Sequence, residues 1–572
     1  MSEEEYLNKT THFFNENNIS KMKRDPTDKF QREIKKLIKN KSYIFDIEDK
    51  NNTNKTNRHL INNRPSAPVF KGLPKTHKND VPIRPIINSI NAPNYKISKM
   101  MAKKLKDTIE LNNLYVVKNS YELIDKLKNI KITNSTRMAS FDIVNLYTNV
   151  PIKETICTIK EYLTKNKYTE IFINDIEDIL TTITNQNYFK LKDDVYKQNE
   201  GIPMGNPLSG ILAEIFLQNL ENNQCKNLIE KYKIKFMARY VDDILLIYEE
   251  GVTDITQVQN SFNNLNNNIK YTIEKEKNNR INYLDLTITR SANTIEYNIY
   301  RKPSHSDICI HNSSRHPIQH KLSTFNSLIH RLINIPMSKE NYDNELNYIK
   351  WLATKNGYKD KIIYNIIKKK QNKKNLISTT ALTPVNDDSK KWITLTYTGN
   401  ETYKIANILR KQSKNIKIAF KTDNNIRRLI PNPINNNNNK YNKCGVYKLK
   451  CKNCDKYYVG RTTRNFKIRY NEHIKDFIYN RGKSNYANHL YSHNHEYDII
   501  ENSLEILHTE YNFHKIKTLE EIEILKAWQH SKDDIVNDTI LNSDNALYKV
   551  LIRGQRPGAD SVAPDQQQAT ST

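Results

Sequence analysis

Hydrophobic and polar positions repeat with two different periods along this chain, and the changes of period divide it. In the first forty residues Phe30, Ile34, Leu37 and Ile38 recur at helical spacing, with Lys and Arg filling the other faces, so helix is expected there. A polar stretch at 51–55 breaks that pattern, and residues 69–93 are punctuated by Gly and Pro. Alternating, strand-like segments stand out at 138–144 and 239–248, with helical segments and the Gly/Pro-rich 201–210 between them. The region 314–415 reads as mostly helical and basic, including Lys368-Lys369-Lys370 and Lys373-Lys374. Pro431-Asn432-Pro433 and the following Asn run read as a linker, because neither extends a helix or a ladder well. A compact, Tyr-rich segment follows from 444 to about 542, and the tail 564–572, without positive charge or large apolar groups, is expected to be disordered. No fixed-period repeat is present.

Charge changes the picture most. Lys and Arg number 90 against 63 Asp and Glu, a net +27, and the pI is about 9.4; such an excess points to a polyanionic partner, nucleic acid above all. Mean hydropathy is low at −0.77, yet 34 Tyr, 16 Phe and many Ile supply large apolar groups for packed domains. At about 150 residues per domain, 572 residues suggest three or four. No apolar run approaches the roughly 18–20 residues of a membrane span, so no membrane partner is expected. The acidic start Met1-Ser2-Glu3-Glu4-Glu5 is no secretory signal. Of six cysteines, Cys444, Cys451 and Cys454 crowd together, which suggests a metal or redox site in a reducing compartment.

Chemistry concentrates first in the carboxylates. Tyr240-Val241-Asp242-Asp243 lies between two β-forming segments, as in a hairpin that exposes its acids at the tip, and Ser140-Phe141-Asp142 puts another acid at a strand end. Nucleotidyl transfer by the two-metal route needs acids holding two cations roughly 3.5–4 Å apart, and carboxylates from neighbouring strands supply such a clamp. A lone Asp-Asp pair is more often a solvated turn; the surrounding sequence reverses those odds. Ser140-Phe141-Asp142, Gly201-Ile202-Pro203-Met204-Gly205-Asn206-Pro207-Leu208-Ser209 and Tyr240-Val241-Asp242-Asp243 resemble, in order and spacing, the palm motifs of reverse transcriptases. The resemblance implies that Asp142, Asp242 and Asp243 carry catalysis, with Asp142 and Asp242 as chief ligands of Mg2+ or Mn2+. It also implies that Gly205 lies in the loop bearing on template and incoming nucleotide, and that Tyr147 excludes a 2′-hydroxyl; a core aromatic is the alternative for Tyr147. Gly72-Leu73-Pro74-Lys75-Thr76-His77-Lys78 with Arg84-Pro85-Ile86 looks like the fingers of Penelope-like retroelement enzymes, as do Asn282-Tyr283-Leu284-Asp285, the segment 300–307 and Asn312-Ser313-Ser314-Arg315-His316-Pro317 beyond the hairpin. By that likeness Arg84, and less surely Lys75, would grip the triphosphate, Arg through paired hydrogen bonds.

Beyond the Asn run, Gly445-Val446-Tyr447 and Tyr458-Val459-Gly460 read as two short strands that bring their tyrosines close. Arg469 and His473, four apart, share a face of a helix expected over 463–477. This set resembles the GIY-YIG endonucleases. The resemblance implies Tyr447 as base, assisted by Tyr458 or His473, Arg469 steadying the phosphate, and an acid on a later helix to hold Mg2+; Glu520 is preferred, with Glu521 and Glu523 as alternatives. Cys451-Lys452-Asn453-Cys454 can present two thiolates to one tetrahedral Zn2+. His489 and His495, as in the nucleases of Penelope-like elements, would complete the set, His493 could replace one of them, and Cys444 is a spectator.

The chain thus resembles a Penelope-like retroelement protein of α+β class: a right-hand reverse transcriptase (fingers, palm, helical thumb) joined to a small α/β GIY-YIG nuclease. The expected division is an N-terminal helical segment and fingers at 1–135, palm at 136–300, helical basic thumb at 301–430, linker at 431–441, nuclease with zinc site at 442–545 and tail at 546–572. Such proteins carry a basic, Gly-containing fingers strand upstream of the segment resembling residues 6–25, so the fingers are expected to be incomplete here. The implied activity is RNA-directed DNA polymerisation coupled to DNA nicking, with template RNA, target and primer DNA and dNTPs as partners, acting in the nucleus, where Lys368–Lys374 would serve import. The alternative is a degenerate or domesticated copy that binds nucleic acid without catalysis.

Overall fold

The computed structural model describes residues 1–45, 57–62, 64–76, 80–111, 113–291, 294–379, 391–413, 415–422, 440–531 and 533–538. The polar stretch at 51–55, His77 and Lys78, residues 431–439 of the expected linker and the tail lie outside them. The chain forms two compact units, Met1–Leu429 and Ile430–Thr572.

In the first unit the chain lays down β1 (Ile19–Lys21), β2 (Val69–Pro74), β3 (Ile83–Asn88), β4 (Thr136–Ile143), β5 (Tyr188–Leu191), β6 (Asp194–Gln198), β7 (Phe236–Tyr240), β8 (Asp243–Glu249) and β9 (Tyr271–Lys275). These make a five-stranded sheet, β1-β6-β5-β2-β3, and a four-stranded sheet, β7-β8-β4-β9. The second sheet is buried on both faces. On β4 and β8 the alternate residues Ala139, Phe141, Ile244 and Leu246 enter one core, while Met138, Leu245 and Ile247 enter another. That two-sided burial is why β8 carries the unbroken apolar run Ile244–Tyr248 in place of the alternation expected there.

The first forty residues are not one helical stretch. Helices Glu3–Glu16 and Thr27–Asn40 are separated by β1. Asn17 caps the first by accepting no further turn, its side chain donating to the Phe13 carbonyl at 2.8 Å, and Asn18 takes a left-handed φ of 50°, a conformation Asn tolerates. β1 then pairs with β6 at the sheet edge.

A small antiparallel sheet follows, β10 (Arg280–Tyr283), β11 (Leu286–Arg290) and β12 (Ile295–Ile299), and then helices Ser323–Asn334, Lys339–Lys355 and Asp360–Thr379 pack around Phe325, Ile329, Ile349 and Ile363. The expected helical, basic thumb at 301–430 is not helical at its end. Residues 391–421 form a βαβ unit, β13 (Lys391–Thr396), helix Asn400–Gln412 and β14 (Ile416–Lys421), with the strands parallel. Leu395, Ile418 and Phe420 alternate with Thr, Lys and Ala at strand period, a signal hidden among the surrounding lysines and by Trp392 beside Ile393.

The second unit has a three-stranded sheet, β16 (Tyr457–Thr462), β15 (Gly445–Lys450) and β17 (Leu504–Thr509), in the order β16-β15-β17. Helices Phe466–Ile478, Asn485–Ser492 and Phe513–His530 accompany it. No helix among the described residues is long and apolar enough to cross a membrane.

Candidate functional site

The acids of the first unit converge at one end of the four-stranded sheet. Asp142, near the end of β4, lies directly across from Asp243 at the start of β8, and the Asp242 carbonyl accepts from the Ile143 amide at 3.1 Å. Asp242 itself sits in the β7–β8 turn, next to Val241, whose φ of 57° is unusual for a β-branched residue. Burial raises the Asp242 pKa, the Asp142 carboxylate adds to the rise, and Arg84 and Lys75 counter it. The five-stranded sheet therefore brings its cations to the same place: Leu73 of β2 pairs with Arg84 of β3, and the Lys75 amide closes that hairpin onto the Pro82 carbonyl at 2.9 Å. Carboxylate oxygens gathered in a half-buried, like-charged group suit a hard divalent cation, whose charge would relieve the repulsion.

The loop 201–208 is tied to both neighbours. Ile202 donates to the Tyr147 carbonyl at 2.7 Å, Ile87 of β3 donates to the Met204 carbonyl at 2.8 Å, and Ser89 Oγ donates to the Gly205 carbonyl at 2.8 Å. Gly205 has a φ of 124°, and a Cβ there would lie 2.2 Å from the Ile87 carbonyl oxygen, so only glycine allows this approach. Tyr147 is half-buried beside the acids. Burial raises its hydroxyl pKa, with Asp242 and Glu214 contributing.

Two supports of the turn had no role assigned to them from the sequence. Arg239, on β7, is fully buried. Its guanidinium pairs with Glu214 at 2.9 Å and with Glu221, and it donates to the Val241 carbonyl at 3.0 Å. Glu214 and Glu221 are seven apart, two helical turns, and so lie on one face where the helix Ser209–Leu220 passes into a π-turn at Glu221–Cys225. Burial would raise Glu214, but Arg239 more than offsets it; Glu221, more deeply buried, stays above the ordinary carboxylate range despite Arg239. The second support is Tyr283 of β10, whose hydroxyl donates to the Asp243 carbonyl at 2.8 Å. An Arg directly before Tyr-Val-Asp-Asp, with two acids seven apart upstream, is the signal that would have found the first.

In the second unit Tyr447 of β15 lies opposite Gly460 of β16. Its buried hydroxyl is 2.8 Å from His473 Nε2 and accepts from Arg469 Nε at 3.2 Å. A Cβ on residue 460 would fall 2.6 Å from that hydroxyl and 2.5 Å from the Tyr458 ring, so glycine is required between the two tyrosines. Burial pushes the Tyr447 pKa upward, with Arg469 opposing; burial and then Arg469 drive His473 down to about 3, so its ring is neutral. Ser484 Oγ stands 2.5 Å from His473 Nδ1 and also accepts the Ala487 amide at 3.3 Å. With the ring neutral, one of its nitrogens accepts from its hydroxyl partner and the other donates to its own.

Of the three candidate acids, Glu520 acts electrostatically on both tyrosines. It pairs with Arg461 at 3.2 Å, and burial raises its pKa against that partner. Glu523 is engaged by His508 at 2.9 Å and Lys526 at 2.8 Å, and Glu521 lies 3.8 Å from Lys517. Arg461 and Ser484 were not foreseen.

Cys451, Cys454, His489 and His495 place one ligand atom each within 4.8 Å of one another. Cys451 Sγ is 3.3 Å from His495 Nδ1, and Cys454 Sγ is 3.4 Å from His489 Nε2. A tetrahedral zinc site has S···N edges of about 3.6 Å. His493 turns its Nδ1 to the His489 carbonyl and Ser492 instead, and Cys444 donates to the Glu510 carbonyl.

Residues 76–319 match the family model for reverse transcriptase (RNA-dependent DNA polymerase). They form a reverse transcriptase domain. That domain contains Arg84, Asp142, Tyr147, Gly205, Asp242 and Asp243, and Lys75 immediately precedes it. Residues 308–368 match the animal helix-turn-helix domain. Among curated proteins the chain is similar to the telomerase reverse transcriptase of Oxytricha trifallax, 27% identical over 183 residues, which cover 29% of this chain and 16% of that protein. The chain thus spans about a sixth of that relative. Among solved structures it is similar to telomerase from Candida albicans in complex with a fragment of telomeric RNA, at 14% identity and TM-score 0.38, over 61% of this chain and 62% of that one. It is also similar to a chain of the genome and RNA polymerase complex inside a dsRNA virus, at 12% identity and TM-score 0.33, over 57% of this chain and 30% of that one.

Proposed function

We propose that this protein is the RNA-directed DNA polymerase and endonuclease of a Penelope-like retroelement, acting on genomic DNA in the nucleus. The observation that carries the polymerase reading is the meeting of Asp142, Asp242 and Asp243 at paired strand ends inside a reverse transcriptase domain. A primer 3′-oxygen attacks the α-phosphorus of a bound dNTP in line, and pyrophosphate leaves. Mg2+ or Mn2+ held by Asp142 and Asp242 would lower the pKa of the 3′-hydroxyl and offset charge on the leaving group. Arg84 and Lys75 bind the triphosphate, Tyr147 lies under the sugar and rejects a 2′-hydroxyl by contact, and the Gly205 loop supports the nascent pair. Arg239 and Tyr283 act on the turn's carbonyls and are positioning residues. Primer extension on an RNA template is expected from this chain and not from Asp242→Ala; extension that persists in the variant refutes the assignment.

The second unit supports a GIY-YIG nuclease reading. Tyr447, whose hydroxyl lies on His473 Nε2, would take the proton of an attacking water as it passes its own hydroxyl proton to that nitrogen; Arg469 steadies the phosphate, and Glu520 would hold Mg2+. Zn2+ on Cys451, Cys454, His489 and His495 would pin this small unit. Nicking of supercoiled plasmid is expected and should be lost in Arg469→Ala; equal nicking by both refutes this part. The likeness to a telomerase reverse transcriptase favours a second reading, in which pre-existing DNA ends serve as primers. Extension that requires a nickable duplex, and falls with Arg469→Ala, argues against it.

A further inference from the structure

The βαβ unit of residues 391–421 lies C-terminal to both matched regions and has no part in the sites above. Its helix Asn400–Gln412 covers one face of the β13–β14 pair: Ala406, Ile418 and Phe420 are buried there, with Leu395, Tyr397 and Tyr403 packed against them. The other face carries the alternate residues, in register Trp392 with Lys417, Thr394 with Ala419, and Thr396 with Lys421. Trp392 is 64% exposed, and the Lys417 ammonium stands 5.6 Å from the centre of its ring.

Two features of this face call for an explanation. Parallel strands are almost always covered on both faces, and a tryptophan is a large apolar surface to leave in water. The composition says what fits. Between 391 and 421 seven residues are Lys or Arg and one, Glu401, is acidic. A flat aromatic ring beside ammonium groups, over small Thr and Ala side chains, matches a polyanion that also offers planar rings. The unit is also anchored: the Tyr403 hydroxyl accepts from the Ile318 amide at 2.7 Å, and His320 Nε2 lies 3.1 Å from the Phe420 carbonyl.

We propose that this face is a single-stranded nucleic-acid platform, on which an unpaired base stacks on Trp392 while Lys417 and Lys421 meet the backbone phosphates. A duplex, whose bases stack on one another, lacks the free base face that the ring needs, and an acidic peptide lacks the ring altogether. The proposal rests on the nucleic-acid-handling reading but not on catalysis.

The chain has three tryptophans, Trp351, Trp392 and Trp528, so the full-length Trp351→Phe, Trp528→Phe protein reports on Trp392 alone. Its emission is followed without divalent cations, in the Asp242→Ala background, during titration with oligo(U) 20-mer, oligo(dT) 20-mer, a 20-base-pair duplex, and polyglutamate of equal charge. Saturable quenching by either single strand, with little from the duplex or polyglutamate, is expected; oligo(U) acting more strongly assigns template RNA, and oligo(dT) a displaced DNA strand. Emission unchanged by both single strands, or quenched equally by polyglutamate or duplex, overturns the proposal. In parallel, Trp392→Ala in the otherwise native chain should bind the effective oligonucleotide about tenfold more weakly, with circular dichroism unchanged, and an unaltered Kd counts against it. Because no step requires turnover, inactive polymerase with intact quenching refutes only the polymerase reading.

Discussion

At the scale of single residues, the least exposed charges do the most. Arg239 satisfies Glu214, Glu221 and the Val241 carbonyl at once, out of contact with water. Removing one member of a buried ion group leaves the others charged and unpaired, at a cost of about 3–5 kcal/mol. Arg239→Met is therefore expected to lower the calorimetric melting temperature of the first unit and to reduce primer extension. Adding Glu221→Gln should recover part of the stability but not the extension, because the turn carbonyl still lacks its donor. Recovery of both would mean that Arg239 acts on stability alone. His473 makes the complementary case. Its pKa is held near 3 by burial and by Arg469, against an ordinary value of about 6.5. Between those values the unfolded chain binds the proton and the folded unit does not, so stability is full above about pH 6.5 and falls as pH drops toward 3. The loss on going from pH 7.5 to pH 5 is about 2 kcal/mol, and melting curves of wild type and His473→Gln at the two pH values should differ by that amount.

Among the elements, the sites depend on close approaches between strands and loops. The sequence made the β7–β8 hairpin legible, because β-formers flank an acid pair, and it made the helix Phe466–Ile478 legible within a few residues. It did not make β1 or the 391–421 unit legible. A three-residue edge strand has too few positions to show a period, and lysines mask the alternation of β13 and β14. Gly205 shows what the element scale adds: its conformation matters because β3 passes 2.2 Å from where a Cβ would stand. Gly205→Ala is expected to shift the loop off β3 and to cut primer extension by roughly 100-fold, as small misplacements at a reacting centre do. Extension near the wild-type rate would show that the loop tolerates the shift.

For the molecule as a whole, two compact units imply two stabilities. If Zn2+ fills the Cys451, Cys454, His489 and His495 set, metal loss should act on the second unit alone, since a small domain borrows folding free energy from its metal. Mass spectrometry of the purified protein should give one zinc per chain, and a chelator should lower one of two calorimetric transitions by several degrees. Cys451→Ser should do the same without the chelator. A zinc content near zero, with both transitions insensitive to chelation, refutes the site.

The sequence by itself determined which residue types could do chemistry and in what order. The acids between β-formers, the two tyrosine triplets and the Cys-x2-Cys turn are local patterns, carried by neighbours a few positions apart. Tertiary structure decided how they are held. Arg239 meets Glu214 and Glu221 across 25 and 18 positions, Tyr283 reaches Asp243 across 40, and Glu520 acts on both tyrosines while His508 and Lys526 engage Glu523. Periodicity records which face of an element is buried. It does not record what lies against that face, and burial, which raises the pKa of Asp242 and Glu520 and lowers that of His473, belongs to the packed molecule alone.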